Sequence, residues 1–77
     1  MNKEITPSQI KMARGALDWS IRDLASEAGL HHNTISRVEK GLDTTRGTLL
    51  VLQQTLETAG VQFIDRNGGG PGVRLRK

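Results

Sequence analysis

The sequence has no cysteine and no tyrosine, and Trp19 and Phe63 are its only residues of the Phe, Trp and Tyr type. Without cysteine the chain cannot form a disulfide, and it lacks the thiol ligands of most structural zinc sites. No apolar run approaches the roughly 18 residues that a membrane-spanning helix needs. Met1 to Ile5 is too short and too polar for a signal peptide. These absences predict a cytoplasmic protein without a membrane segment, a metal or another cofactor.

Catalytic groups are scarce as well, and the chain is short. No nucleophile stands beside a general base and no carboxylates converge, so we expect no enzymatic activity. A chain of 77 residues has a small core, and its stability is only a few kcal/mol unless oligomerisation adds to it. The net charge of +3 favours an anionic partner, although a mildly basic balance is common among small proteins.

The stretch from Ser20 to Gly41 carries the clearest pattern in the chain. Ser20 can accept a hydrogen bond from the first turn of a helix, and Asp23 adds negative charge at the positive end of that helix. Four apolar residues then recur at i, i+3, i+4 and i+7 and share one face: Ile21, Leu24, Ala25 and Ala28. Gly29 ends this helix, because glycine enters the left-handed backbone region without a steric penalty.

A second short helix is expected from about His32, with Ile35 and Val38 facing inward, and Gly41 ends it. Polar side chains occupy its outer side: His32, Asn33, Ser36, Arg37 and Lys40. The stretch therefore reads as two helices and a tight turn, presented to something outside the chain.

Four residues of this stretch carry a resemblance to a known family. They are Ala25 at a close helix crossing, Gly29 in the turn, and the buried pair Ile35 and Val38. With the run TISRVE, their spacing resembles the helix-turn-helix of the phage repressor and Cro family of bacterial transcription regulators. The resemblance covers about two-thirds of the chain and implies a mainly α fold. We expect a four-helix bundle of the lambda repressor-like type with a short C-terminal β-hairpin or dimer-forming β-ribbon.

The first helix should begin at Thr6 and Pro7, where Thr6 and Gln9 have the spacing of a capping box. Its inward face consists of Ile10, Ala13 and Leu17. Arg14 lies one position from that face, and the resemblance implies that it pairs with Glu39 of the recognition helix as a structural ion pair. The alternative is two separate solvated charges.

The fourth helix is expected from about Arg46 to Ala59, with Thr44 or Thr45 as its cap and Gly60 as its end. Its apolar residues follow a 3.6-residue period: Leu49, Leu52, Leu56 and Ala59. Leu50 and Val51 fall outside that stripe, which suggests that part of this helix contacts a partner chain.

After Gly60 the pattern changes to the alternation of β-strands. Residues 61 to 65 and 73 to 76 alternate on either side of a glycine-rich turn. The alternative is a disordered basic tail, but such a tail has no need for apolar residues at two-residue spacing on both sides of the glycines. A lone hairpin is marginal in water, so it should pack on the helices or pair with its copy in a second subunit. We therefore predict a DNA-binding domain over residues 1–60 and a dimerisation ribbon over 61–77. Its interface residues would be Val61, Phe63, Ile64, Val73 and Leu75.

The major groove of duplex DNA admits one helix, and its base edges differ in their donors and acceptors. The resemblance places four residues on the base-contacting positions: His32, Asn33, Ser36 and Arg37. Asn33 suits adenine and Arg37 suits guanine, because each can form a bidentate pair there. Flanking phosphate contacts are expected from Ser20, Arg22, His31, Thr34, Lys40, Thr44, Thr45 and Arg46. For most of these single residues, a solvated surface side chain explains the sequence nearly as well.

The interpretation is a dimeric, sequence-specific regulator that represses transcription at a palindromic operator and controls its own gene. The alternative is an antitoxin, which would bind a toxin protein as well as DNA. RNA is a weaker candidate, since A-form major grooves exclude a helix. The adjacent His31 and His32 suggest a metal or a pH sensor, but no third ligand completes a metal site.

Overall fold

The computed structural model describes residues 5–42, 45–64 and 72–76, which form a mainly helical fold. Within these ranges the chain has four helices and one two-stranded antiparallel sheet, as the sequence predicts. The elements in chain order are α1 (Pro7–Ala16), α2 (Ile21–Ala28), α3 (His32–Glu39), α4 (Arg46–Thr58), β1 (Val61–Ile64) and β2 (Gly72–Leu75).

Three helices begin on hydroxyl caps, and two of those caps are complete capping boxes. The Thr6 hydroxyl accepts from the Gln9 N–H while the Gln9 side chain accepts from the Thr6 N–H. Ser20 and Asp23 repeat this exchange at α2. Of the two candidates for α4, Thr45 is the cap, and Thr44 lies outside the described residues. These local bonds satisfy N–H groups that the helix itself leaves without partners.

One apolar core joins all four helices. Ile10, Leu24, Ile35, Leu52 and Leu56 are its largest fully buried side chains on the helices. They occur at the periodic positions that the sequence predicts, because a helix packed on one side buries every third or fourth residue. The fully buried Val38 and the buried Ala25 let α3 and α2 approach each other within this core.

The end of α4 differs slightly from the prediction. The helix ends at Thr58, and Ala59 is its C-cap and is only partly buried rather than a core residue. The chain turns away at Gly60, where φ is +108°. Leu50 is 53% exposed and Val51 38% exposed, because both lie outside the buried stripe of Leu49, Leu52 and Leu56.

The two C-terminal strands pair within one chain, one of the two arrangements that the sequence left open. Val61 lies opposite Leu75 and Phe63 opposite Val73. Strand β2 begins at Gly72, one residue before the predicted start, because Gly72 pairs with Ile64 at the end of β1. Asp65, Asn67 and the three glycines from Gly68 to Gly70 lie outside the described residues.

The position of Val61 corrects one expectation. Its side chain is 1% exposed and belongs to the same core as the helices, so it is not available to a second subunit. Phe63 and Val73 are partly buried against that core, whereas Ile64 and Leu75 remain exposed. The hairpin therefore packs its inner face on its own helices rather than on a partner.

Gln9 ties this hairpin to the first helix. Its side-chain Nε2 donates to the carbonyl oxygens of Ile64 (3.2 Å) and Gly72 (3.0 Å), the last residue of β1 and the first of β2. The same side chain accepts from the Thr6 N–H at 3.0 Å. Gln9 is the only buried polar residue among those described and is 4% exposed, so all of its polar atoms are used inside the protein.

Candidate nucleic-acid interface

Helix α3 separates an apolar inner side from a polar outer side. Ile35 and Val38 are fully buried, while Asn33, Arg37 and Lys40 are exposed. His32, Thr34 and Ser36 are partly exposed between them. The four residues that the resemblance assigns to base contact thus lie along an outward side of one helix, which is the geometry that groove reading requires.

The bidentate ion pair between Arg14 and Glu39 fixes the far end of α3. Arg14 Nε donates to Glu39 Oε2 at 2.8 Å, and Arg14 Nη2 donates to Glu39 Oε1 at 3.0 Å. The Arg14 and Glu39 side chains are only 19% and 6% exposed. The hydrogen bond and charge of Glu39 raise the pKa of Arg14 against the opposing effect of burial. The structure therefore confirms the ion pair and contradicts the alternative of two separate solvated charges.

Arg14 also reaches the chain between the first two helices. Its Nη1 donates to the carbonyl oxygen of Trp19 at 3.1 Å, just before the cap of α2. One guanidinium therefore holds α1, the start of α2 and the last turn of α3 together. The fork of donors on arginine makes this possible, whereas the single ammonium of lysine could not serve three acceptors in this planar arrangement.

Since Glu39 points toward Arg14, the outer side of α3 carries Arg37 and Lys40 without a carboxylate of its own. Glu39 is the only acidic residue of this helix. Positive charge on a helix that enters a groove lined by phosphates is favourable, so the ion pair both positions α3 and removes a repulsive group from its outer face.

The turn between α2 and α3 is set by Gly29, which has a left-handed backbone with φ of +70°. This conformation lets the Leu30 N–H donate to the Ala25 carbonyl at 3.0 Å. Only three residues separate α2 from α3, and the two helices pack against each other. The turn and the buried side chains leave α3 little freedom to rotate about its axis.

The start of α3 is unusual, because an imidazole caps it. His31 Nδ1 accepts a hydrogen bond from the Asn33 N–H at 3.1 Å. The His31 ring also stacks on the His32 ring, with centroids 4.4 Å apart. Histidine is not among the preferred cap residues, yet the imidazole satisfies one free N–H of the first turn. Desolvation, followed by the charges of Arg22 and His31, lowers the pKa of His32, which favours its neutral form.

The residues predicted to contact phosphates occupy the ends of the elements around α3. Arg22, His31, Lys40 and Arg46 are exposed, and Thr34 is partly exposed. Ser20 and Thr45 are exposed too, but both hydroxyls serve as helix caps. The Thr45 hydroxyl also donates to the Thr48 hydroxyl at 2.9 Å, which commits its proton within the chain.

Three hydrogen bonds, two from Gln9 and one to His31, were not predictable from the sequence. Nothing in the pattern around Gln9 indicates its bonds to Ile64 and Gly72, which are 55 and 63 residues away. The accepting ring of His31 was not predictable either, because histidine is rarely expected in that role. Only the capping-box spacing marked Gln9 as structurally important, and it accounted for the accepting oxygen but not for the donating nitrogen.

The described residues offer little to other kinds of chemistry. No group of three or more His, Cys, Asp or Glu side chains among them is placed to hold a metal ion. None of the helices in the described ranges has both the length and the apolar character needed to cross a bilayer.

A family model described as helix-turn-helix matches residues 10–58 of this chain, which is more than half of its length. The match spans the last part of α1, all of α2 and α3, and α4. No curated protein is significantly similar to the chain.

Proposed function

The chain belongs to the helix-turn-helix family of the phage repressor and Cro type, and on that premise we propose that it represses transcription as a homodimer bound to a palindromic operator. Membership in this family makes the chain a DNA-binding transcriptional regulator. The observation that supports operator recognition is the polar outer side of α3, a helix that the Arg14–Glu39 pair holds in place. Binding of an operator by such a regulator would block access of RNA polymerase.

In this proposal the first turns of α3 enter the major groove. Asn33 would form two hydrogen bonds with an adenine, and Arg37 would form two with the O6 and N7 of a guanine. Both side chains are exposed, and they are one helical turn apart on α3. His32 and Ser36 would contact neighbouring base edges. Each bidentate pair contributes about 1–3 kcal/mol of discrimination between bases.

Phosphate contacts on both sides of α3 would set its register on the duplex. The capping box of α2 uses the N–H groups of Ser20 and Asp23, so the N–H groups of Ile21 and Arg22 between them would face a phosphate. The side chain of Arg22 would flank them. On the other side, Lys40 and Arg46 would supply positive charge, with His31, Thr34, Thr44 and Thr45 as further candidates.

One recognition helix reads too few base pairs to select a unique site, so we propose that two subunits bind half-sites one helical turn apart, about 34 Å. The exposed apolar residues that a second subunit could contact include Ile64 and Leu75 on the hairpin and Leu50 and Val51 on α4. Phe63 and Val73 would contribute the edges of their partly buried side chains. The hairpin supports the ribbon dimer through its exposed residues, while Val61 contributes to the core beneath it.

Arg37 and Arg46 offer a matched pair of exposed arginines for the main test. Arg37→Ala should lose discrimination between operator and random duplex by about tenfold or more, because a base contact is removed. Arg46→Ala should weaken binding to both duplexes about equally, because a phosphate carries no sequence information. The operator would first be selected from random duplexes, and affinities would then be measured by fluorescence anisotropy. Equal losses in the two variants would contradict the base-reading role of Arg37.

The salt dependence of the same affinities tests phosphate contact separately. The logarithm of the binding constant should fall steeply with the logarithm of the salt concentration, with a slope smaller by about one in Arg46→Ala. A flat response in the unmodified protein would argue against duplex binding itself.

The subunit contact can be located with two charge insertions. Leu75→Lys places a charge on the hairpin and Leu50→Lys places one on α4, and both sites are exposed, so folding should survive. Sedimentation should show a monomer for Leu75→Lys and a dimer for Leu50→Lys if the ribbon forms the contact. The reverse result would move the contact to α4. Deletion of residues 61–77 is a poor test, since it removes Val61 from the core.

A further inference from the structure

The cap of α3 differs chemically from the caps of the other described helices. Thr6, Ser20 and Thr45 accept with hydroxyl oxygens at α1, α2 and α4. At α3 the acceptor is His31 Nδ1, which lies 3.1 Å from the Asn33 nitrogen. A hydroxyl keeps its accepting lone pairs at every physiological pH, whereas an imidazole loses its acceptor when it takes up a proton.

The hydrogen bond defines the state of the His31 ring. Because Nδ1 accepts, the proton of the neutral ring is assigned to Nε2, which then faces away from the helix as a donor. In the imidazolium both nitrogens are donors, so neither can accept from Asn33. The protonated ring would also place positive charge at the positive end of the helix dipole. Protonation therefore removes the cap and adds repulsion at the same point.

The charged groups around this cap are mostly basic or already engaged. On α3, His32 stacks on His31, Arg37 is exposed, and Glu39 is held by Arg14 of α1. The exposed Lys40 follows as the C-cap of α3. On α2, Arg22 lies close enough to lower the pKa of His32. The other charged residues of the helices packed on α3 are Asp23 in its capping box, Glu27, and Lys11 of α1.

We propose that His31 is a positioning residue for operator recognition: its neutral imidazole holds the first turn of α3, and its protonation releases that turn. The inference rests on the proposed function, because it concerns how that turn presents Asn33 and His32 to base edges. In acid the protein loses selectivity between operator and random duplex. The protonation of His31 thus makes recognition sensitive to pH.

Total affinity and selectivity respond to protonation in opposite directions. A positive His31 strengthens attraction to the phosphates of any duplex, so binding to random DNA improves in acid. The released first turn must become ordered when it docks against specific bases, which costs free energy. The increase in affinity on protonation is therefore smaller for the operator than for random DNA. The ratio of operator affinity to random-duplex affinity therefore reports on the release of the first turn, whereas the operator affinity alone does not.

His31→Ser is the variant that isolates the cap. Serine is a preferred cap that does not titrate, so the variant should fold and keep α3 ordered. Between about pH 8 and about pH 5.5, at constant ionic strength, the unmodified protein should lose about fivefold in the ratio of operator to random-duplex affinity. His31→Ser should keep a constant ratio. An equal pH dependence in the variant would overturn the proposal and assign the effect to other groups, with His32 the first candidate.

Nuclear magnetic resonance of the full chain without DNA tests the cap independently of the proposed function. The Asn33 amide resonance should follow the protonation of the His31 ring, and its protection from hydrogen exchange, relative to an unstructured amide at the same pH, should fall in acid. In His31→Ser both responses should disappear. An Asn33 amide indifferent to His31 protonation would refute the inference even where operator binding holds. If the Asn33 amide responded to His31 protonation but the protein selected no operator from random duplexes, the proposed function would be refuted and the cap inference would stand.

Discussion

The α2–α3 unit and the C-terminal hairpin are attached to the same core in different ways. The recognition helix is held by side chains: Ile35 and Val38 are fully buried, and Glu39 binds the guanidinium of Arg14. The hairpin has one fully buried side chain, Val61, and the end at which β1 finishes and β2 begins is fastened by Gln9 through the backbone carbonyls of Ile64 and Gly72. Both attachments lead to α1, at positions five residues apart.

This difference separates two structural tasks. Side chain to side chain contacts such as the Arg14–Glu39 pair fix the rotation and tilt of a helix, which base reading requires at high accuracy. The bonds from Gln9 go to backbone carbonyls, so they do not depend on which side chains lie on the outer face of the hairpin. The hairpin can therefore change its exposed residues, such as Ile64, Arg74 and Leu75, without losing its attachment. We expect the two regions to respond differently to removal of their anchors.

Removal of Arg14 should have the largest effect and should act on the α2–α3 unit. Arg14→Leu leaves Glu39, which is nearly buried, without a counter-ion, and the free energy of unfolding should fall by about 3 kcal/mol. Urea denaturation measures this loss. The double variant with Glu39→Leu should recover much of it, because the stranded charge is gone. A loss below about 0.5 kcal/mol, the level of an exposed pair, would show that the ion pair does not anchor α3.

Removal of the Gln9 side-chain amide should have the next largest effect and should act on the hairpin. Gln9→Leu leaves two carbonyls and the Thr6 N–H without their partner, at a cost of about 2 kcal/mol. Hydrogen exchange should accelerate in β1 and β2 more than in α2 and α3. Gln53→Leu is the control, since that amide bonds only to Glu57 one turn away, and its effect should stay within about 0.5 kcal/mol. Uniform acceleration across the chain would contradict a local anchor.

A pair of glycine substitutions should give the smallest effects, with opposite signs. Gly29 has φ of +70° in the turn before α3, so Gly29→Ala should cost about 1 kcal/mol through backbone strain. Gly15 lies within α1 and has open space where the methyl group of an alanine would lie, so Gly15→Ala should stabilise by about 1 kcal/mol. Thermal unfolding should show the two midpoints moving apart. Movement in the same direction would contradict the role of Gly29 in the turn.

Much of the fold was predictable because its signals are local. The caps Thr6, Ser20 and Thr45 and the turn residue Gly29 act within four residues of their own position. Helical periodicity likewise predicted the burial of Leu24, Ile35 and Leu52, because a helix with one solvated side repeats its buried positions at a fixed spacing.

The errors and omissions lie mainly where distant parts of the chain meet. Alternation predicted both strands but could not say which neighbour would cover Val61, since a core and a partner subunit attract an apolar face equally. The boundaries of β2 shifted because pairing of Gly72 with Ile64, rather than side-chain type, begins the strand. The roles of Asn33 and Arg37 in base reading and of Ile64 and Leu75 in subunit contact remain predictions.

By itself the sequence determined where the helices begin, which of their faces turn inward, and which polar residues stand on the outer side of α3. Those properties follow from hydrogen bonds and periodicities that span a few residues. The tertiary structure alone decided that the hairpin folds onto its own helices and that Gln9 fastens it there. These contacts depend on the path of the whole chain, which brings residues 55 or more positions apart within hydrogen-bonding distance.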